Sequence, residues 1–314
     1  MIVTLTLNPA IDENIVLNNL NINTINKVEN IYIEPGGKGI NVSKGIRTFN
    51  LDHETILLND VKDKNFLQLI KNKNISFTEI EVPMKIRRNL KIIDKSNNTC
   101  TDINEEAYVY PCSFNILHRI LETIKSKNPT IIALCGSLPE GLEKNIYAKI
   151  IEFCNKNKIK VFLDINGKLL KDNLFEKVFF VKPNLDELCD YHGKPLKSKK
   201  EIINAAFELK KYADNICISL GENGMIFLNN NSTYICTIDK VNALNTVGAG
   251  DSMVSAFIYG FTKNWNIEKI IKFACAVSIK SVTMESSSFP SLDGIDSYVN
   301  KIKLKKYREG ESYE

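Results

Sequence analysis

The chain has 314 residues, 44% hydrophobic and 25% charged, a globular balance that excludes general disorder and collagen-like or fibrous architectures. Lysine and arginine number 41 against 37 acidic residues, a net charge of +4, too mild for the dense basic face of a nucleic-acid binder. No apolar run approaches the roughly 18 residues of a membrane span. The start, Met1-Ile-Val-Thr-Leu-Thr-Leu7, lacks the features of a signal peptide, so a cytoplasmic chain with no membrane or nucleic-acid partner is expected.

Short β-rich runs alternate with amphipathic stretches, the pattern of an α/β fold with a mostly parallel sheet covered by helices. The first strand is expected at Ile2–Leu7, and Asn8-Pro9-Ala10-Ile11 carries the chain from it to Asp12. Ligands of open α/β sheets collect beyond strand carboxyl ends, so Asp12 is placed to grip hydroxyls, although a lone aspartate there is more often a loop residue. Residues 12–35 and 83–110 alternate in polarity without a helical stripe, as in Asn14-Ile-Val-Leu17 and Leu90-Lys-Ile-Ile93. Together they predict a small sheet projecting from the main domain, with a face that a partner or substrate must cover.

Between these segments, Pro35-Gly-Gly-Lys-Gly-Ile-Asn-Val-Ser43 opens a helix expected at Gly39–Phe49. Backbone N–H groups there can meet a charged ligand beside the point charge of Lys38 and the amide of Asn41, and a Gly-rich turn with a solvent-facing lysine explains the run equally well. Further on, Arg87, Asn89 and Lys91 fall on one face of an extended chain. Arg87 has the planar fork that holds a phosphate ester; a solvated strand face is the plainer reading.

A helix at Ser113–Lys127, a strand at Thr130–Cys135 and the turn Cys135-Gly-Ser-Leu-Pro-Glu-Gly141 come next, then a helix at Leu142–Asn157 and strands at Lys160–Asp164 and Val178–Val181. Val181-Lys-Pro-Asn-Leu-Asp-Glu-Leu188 leads into a helix at Leu185–Tyr191. Asn184 and Glu187 share a helical face there, which suits either Mg²⁺, bound directly or through water, or a reciprocal capping box. A helix at Lys199–Tyr212, a strand at Asn215–Ser219, the turn Ser219-Leu-Gly-Glu-Asn-Gly224 and a strand at Met225–Leu228 complete the alternation.

The strongest local signal is Asn245-Thr-Val-Gly-Ala-Gly-Asp-Ser-Met-Val254, ahead of helices at Asp251–Lys263 and Ile267–Met284. Glycines leading into a helix aim unpaired N–H groups and the positive dipole end at one point, an anion site, with Asp251 among the donors. Met253 at the sixth position excludes a GxGxxG dinucleotide fingerprint, and no GxxxxGK[ST] phosphate loop occurs. The basic tail from Asp296 to Arg308 reads as a solvated terminal helix face. The 8 cysteines are scattered singly, without zinc-ligand spacing, and read as buried free thiols.

Taken together, Asn8-Pro-Ala-Ile-Asp12, Gly36-Gly-Lys-Gly-Ile-Asn-Val42, Gly136-Ser-Leu-Pro139, Lys182-Pro-Asn-x-x-Glu187 and Val247-Gly-Ala-Gly-Asp-Ser-Met253 resemble the motifs of the PfkB carbohydrate kinases, in their order and over nearly the whole chain. The resemblance is nearest the branch of 1-phosphofructokinase and tagatose-6-phosphate kinase. It implies a ribokinase-like three-layer sandwich spanning residues 1–314 as one kinase domain, with segments 12–35 and 83–110 as its β lid and homodimer contact. It implies ATP, Mg²⁺ and a small-molecule sugar phosphate as ligands. Asp251 would be the base, and the amides of Gly248, Ala249 and Gly250 the anion hole. Asp12, Gly37, Lys38, Asn41 and Ser137 would hold the sugar, with Arg87 on its phosphate. Lys182, Asn184 and Glu187 would face the nucleotide phosphates and Mg²⁺, and Ser219, Gly221 and Gly224 would border the nucleotide.

An aspartate at a helix N-terminus has its charged form favoured, which makes it a weak base, and a loose transition state needs no stronger one. Gly248–Val254 and Thr101-Asp-Ile-Asn104 look more like enzymes of fructose 1-phosphate than those of tagatose 6-phosphate or fructose 6-phosphate. The chain departs from the family pattern at Glu105-Glu-Ala107, at Asp164-Ile-Asn-Gly167 and at Ile279 and Lys280, which are bulkier than the small residues expected near the nucleotide. A non-catalytic sugar-phosphate binder would have lost Asp251 or its glycines; both are present.

Overall fold

Alternation along the first strand sets the layers. In Ile2–Thr6, Val3 and Leu5 enter one hydrophobic core and Ile2 enters a second on the opposite face. A strand buried on both faces can read as a continuous apolar run, as Ile131–Cys135 does. The computed structural model describes residues 1–60, 62–109, 115–239, 241, 243, 248–284 and 289–308.

The main sheet has ten strands. Their spatial order is Lys303–Lys306, Thr233–Thr237, Met225–Asn229, Ala213–Ser219, Val178–Val181, Lys160–Asp164, Ile131–Cys135, Ile2–Thr6, His53–Asp60 and Phe77–Val82. Neighbours from Ala213–Ser219 to Phe77–Val82 run parallel, and the remaining pairs are antiparallel. The first strand lies between Ile131–Cys135 and His53–Asp60, so strand order reverses beside it and a crevice opens beyond the carboxyl ends.

One core takes side chains from the helices Lys64–Asn72, Ile116–Lys127, Ile146–Lys156, Leu185–His192 and Lys199–Glu208. The other takes Val42 and Ile46 of Lys38–Thr48, Val254 and Phe257 of Ala249–Thr262, and Ala274 and Val277 of Ile267–Val282. Phe162, Phe180, Phe227 and Phe257 are fully buried in that second core, each contributing about 1.5–3 kcal/mol by leaving water. No described helix is long and apolar enough to cross a membrane.

The polarity-alternating segments form a separate four-stranded sheet in the order Asn30–Gly36, Ala10–Leu17, Arg87–Asp94, Thr99–Asn104. Register places Asp12 beside Asn89, Asn14 beside Lys91, Asn89 beside Asn104 and Lys91 beside Asp102, so one face is polar. The other carries Ile15, Ile31, Ile33, Leu90 and Ile103, and Ile31, Ile33 and Ile103 are about half exposed at 55%, 49% and 53%.

Several expectations are corrected. The basic tail is not a helix face: after a short helix at Ile295–Val299, Lys303–Lys306 pairs antiparallel with Thr233–Thr237 at the sheet edge. Leu304 packs against the second core while Lys303, Lys305 and Lys306 are exposed, a period of two that the run of charge conceals. The strands His53–Asp60, Phe77–Val82 and Thr233–Thr237 and the helices Lys64–Asn72 and Gly167–Asn173 were not expected. The helix expected from Leu142 begins at Ile146, and that expected to Tyr212 ends at Glu208 in a 3-10 turn. Cys100 is exposed rather than buried. Ser113, Cys112 and Asn245–Val247 lie outside the described residues.

Candidate active site

The helix Ala249–Thr262 starts at Gly248, whose φ of 81° is a left-handed conformation that a Cβ would strain. No side chain caps this helix, and Ser252 N–H is already bonded back to the Gly248 carbonyl at 2.8 Å. The first-turn amides of Ala249, Gly250 and Asp251 are therefore the donors left for a ligand, at the positive end of the helix. Asp251 is 6% exposed, and its Oδ2 accepts a hydrogen bond from Asn41 Nδ2 at 2.9 Å. Burial, then the charge of Asp164, push its carboxyl up to about 6 against the pull of Lys38, Asn41 and Lys182. The expectation that the helix end keeps this carboxyl low is thus corrected: burial and the charge of Asp164 raise it.

Asp164 ends the strand Lys160–Asp164 and is 1% exposed. Its Oδ1 pairs with Lys38 Nζ at 3.2 Å and Lys182 Nζ at 3.3 Å, while Oδ2 has no hydrogen-bond partner. Burial opposes the charges of all three groups, but their mutual attraction prevails: Asp164 lies below the usual carboxylate range, and Lys38 and Lys182 lie above the usual lysine range. Lys38 Nζ also reaches Glu187 Oε1 at 3.4 Å. Glu187 Oε2 accepts from Asn184 N–H at 2.9 Å and Glu187 N–H donates to Asn184 Oδ1 at 2.7 Å, so the capping box forms.

At the other end, Asp12 Oδ1 accepts from Asn89 Nδ2 at 2.7 Å, and burial raises the Asp12 carboxyl above its usual value. A Cβ on Gly36 would come within 2.3 Å of that carboxylate, so the glycine is what lets Asp12 stand there. Arg87 is next in register to Ala10, and its buried Nε has no hydrogen-bond partner.

One cavity of about 410 Å³ gathers Asp12, Gly37, Lys38, Asn41, Arg87, Lys182, Asn184, Ser219, Gly248, Gly250 and Asp251. Ser137 lies instead in an adjoining cavity of about 650 Å³ that shares Arg87. There Ser137 Oγ accepts from Asn8 Nδ2 at 2.8 Å. Glu187 stands behind Lys38, and Ala249, Gly221, which opens a 3-10 turn after Ser219, and Gly224, which follows that turn, also lie outside the lining. Sequence reasoning missed Asp164 as a site residue, although it ends a strand as Asp12 follows one. It also missed Asn14, Asp102 and Asn104, which line the cavity with Asn89 and Lys91. Asn14 lies two residues from Asp12 and Asp102 two from Asn104, and that spacing was their signal. Ile279 is 5% exposed in the second core, and Lys280 Nζ donates to the Ser291 carbonyl at 2.8 Å. The bulk at these positions therefore serves packing and the 291–293 turn.

A family model described as pfkB family carbohydrate kinase matches residues 5–293. The chain is 32% identical over 308 residues to the 1-phosphofructokinase of Haemophilus influenzae, covering 96% of this chain and 97% of that one. It is 31% identical over 280 residues to that of Borreliella burgdorferi, covering 88% and 90%. The crystal structure of phosphofructokinase-2 from Escherichia coli in complex with potassium superposes with a TM-score of 0.87 at 23% identity, over 95% of this chain and 98% of that one. That likeness shows the fold. A further structure of the Escherichia coli protein is described as its tetrameric inhibited form.

Proposed function

The chain belongs to the pfkB family of carbohydrate kinases, and from that premise we propose that it transfers the γ-phosphoryl group of ATP to fructose 1-phosphate, giving fructose 1,6-bisphosphate and ADP. The observation that carries this reading is the convergence of Asp251, an uncapped helix start and the Lys38 and Lys182 ammoniums on one cavity whose far wall is the polar face of the small sheet.

The acceptor hydroxyl gives its proton to the Asp251 carboxylate as its oxygen attacks the γ-phosphorus and the bond to ADP breaks. Phosphoryl transfer needs positioning and charge stabilisation above all. The amides of Ala249 and Gly250 and the Lys38 and Lys182 ammoniums supply it, held in place by Asp164. Asp12, bonded to Asn89, and Asn41 orient the sugar, and the Arg87 fork takes its phosphate. Asn184, Ser219, Gly221 and Gly224 border the nucleotide. Mg²⁺, when bound, neutralises charge between the phosphates. The unpartnered Asp164 Oδ2 and, beside Lys38, Glu187 would be the protein groups to hold it. The small sheet acts as a lid that keeps water from the reacting phosphoryl group. Its outer face, with Ile31, Ile33 and Ile103 exposed, is where a second copy docks; a single-chain mass in sedimentation equilibrium would remove that reading.

ADP release with ATP and Mg²⁺, compared across fructose 1-phosphate, tagatose 6-phosphate and fructose 6-phosphate, tests the assignment. The highest kcat/KM is expected with fructose 1-phosphate. Preference for another sugar would keep the kinase and overturn the substrate. In the same assay, Arg87→Ala is expected to raise KM for the sugar phosphate about 30- to 100-fold, the loss of a charge-assisted bond worth about 2–3 kcal/mol. KM for ATP should stay within twofold, and equal rises in both would contradict the role.

A further inference from the structure

Lys44 lies outside the cavity lining, yet it reaches the base through two hydrogen bonds. Its Nζ donates to Asn41 Oδ1 at 3.1 Å, and Asn41 Nδ2 donates to Asp251 Oδ2 at 2.9 Å. Asn41 and Lys44 are three residues apart on the helix Lys38–Thr48 and share a face. Behind them, Lys44 Nζ also donates to Glu34 Oε2 at 3.2 Å, and Glu34 Oε1 accepts from Lys73 Nζ at 2.9 Å. Lys44 and Glu34 are almost wholly buried, with side-chain exposures of 7% and 9%.

A buried ion pair is weak evidence for stability, because desolvation offsets much of the attraction. Its place behind the base asks for another role. The asparagine amide has an acceptor end and a donor end of nearly the same shape, and the carboxylate of Asp251 accepts only the donor end. An ammonium has donors and no acceptor, so Lys44 can meet only the Asn41 oxygen. The two neighbours thus admit one orientation of the amide. With no donor at position 44, Asp251 alone would select the orientation of the amide and its carbonyl oxygen would lose its anchor.

We propose that Lys44 is a positioning residue for phosphoryl transfer: it fixes the Asn41 amide so that Asp251 Oδ2 is held and Oδ1 is left for the acceptor hydroxyl. Glu34, on the strand Asn30–Gly36 of the small sheet, holds the Lys44 ammonium at that spot. The proposal rests on Asp251 as the base, and extends that reading to a residue that touches neither sugar nor nucleotide.

The test is a double-mutant cycle between Lys44 and Asn41, run with whichever sugar phosphate the wild type turns over. Lys44→Met is expected to lower kcat about tenfold with KM for ATP within twofold, and Lys44→Arg, which keeps the donor, to stay within about threefold of wild type. In an Asn41→Ala background, adding Lys44→Met is expected to change kcat by less than twofold, since the path is already cut. Independent, multiplying losses would overturn the proposal, as would full activity in Lys44→Met. Should that variant fail to fold, Lys44→Met with Glu34→Gln removes both buried charges and carries the same prediction. Lys73→Met, which touches only the outer oxygen of Glu34, is expected to lower thermal stability and leave kcat unchanged; a tenfold loss there would assign the effect to the ion pair rather than to Asn41. Asp251→Asn, assayed alongside, separates the two ideas: if it keeps near-normal kcat the base reading fails, whatever the cycle gives.

Discussion

Asp251→Asn is expected to lower kcat by about 10²–10⁴-fold, the range a positioned general base contributes, while fructose 1-phosphate still binds. The substitution keeps shape and removes only the ability to take a proton. Asparagine at this position still offers Asn41 Nδ2 an acceptor in place of Oδ2, and the helix start at Gly248 does not depend on a side-chain cap. Titration calorimetry with the sugar phosphate should therefore give an affinity within a few-fold of wild type. In the wild type the carboxyl sits at about 6. A base must be ionised to act, and kcat/KM reports the groups of the free enzyme, so kcat/KM is expected to be full above that value and to fall as pH drops through it. A limb near pH 4, or a variant that keeps kcat within tenfold of wild type, would remove Asp251 from the role.

What was legible in the sequence was whatever depends on neighbours along the chain. The strands Lys160–Asp164 and Val178–Val181 were read to the residue because continuous apolar runs between breakers leave little choice. The polar alternation within residues 12–35 and 83–110 pointed to a small sheet, which Ala10–Leu17, Asn30–Gly36, Arg87–Asp94 and Thr99–Asn104 form, since period two survives without knowledge of partners. What was hidden depends on partners far along the chain. Asp164 lies between Lys38, 126 residues before it in sequence, and Lys182, and nothing local to Asp164-Ile-Asn-Gly167 announces either. The same holds for the Asp251 carboxyl: a helix end argues for a lowered value, and only the folded chain reveals the burial and the Asp164 charge that raise it. Lys303–Lys306 was misread because charge drew attention from the single apolar residue, Leu304, that joins this strand to the core.

Asp164→Asn is expected to destabilise the protein by about 3–5 kcal/mol at neutral pH, the cost of leaving buried charge without its counter-ion. Lys182 is 3% exposed and Asp164 is its one recorded ion-pair partner among the described residues, whereas Lys38 keeps Glu187. The sign with pH follows from Asp164 itself, whose folded carboxyl lies below its usual value despite burial, through Lys182 and Lys38. Such a group contributes stability that is present above the unfolded value of about 3.9 and is lost as pH falls through the lower folded value. The gap in urea midpoint between wild type and variant should therefore be widest near neutrality and narrow in acid; a constant gap would mean that packing, not charge, was lost. The same substitution acts on catalysis in a direction that stability alone would not produce. Asp164 raises the Asp251 carboxyl while Lys38 and Lys182 lower it. Removing the negative charge and keeping the positive ones moves the acid limb of kcat/KM below pH 6. An unmoved limb in the folded fraction would show that Asp164 and Asp251 are not electrostatically coupled. A lowered limb would show one carboxylate serving two ends, holding the lysines charged for the phosphates and keeping the base basic for the hydroxyl.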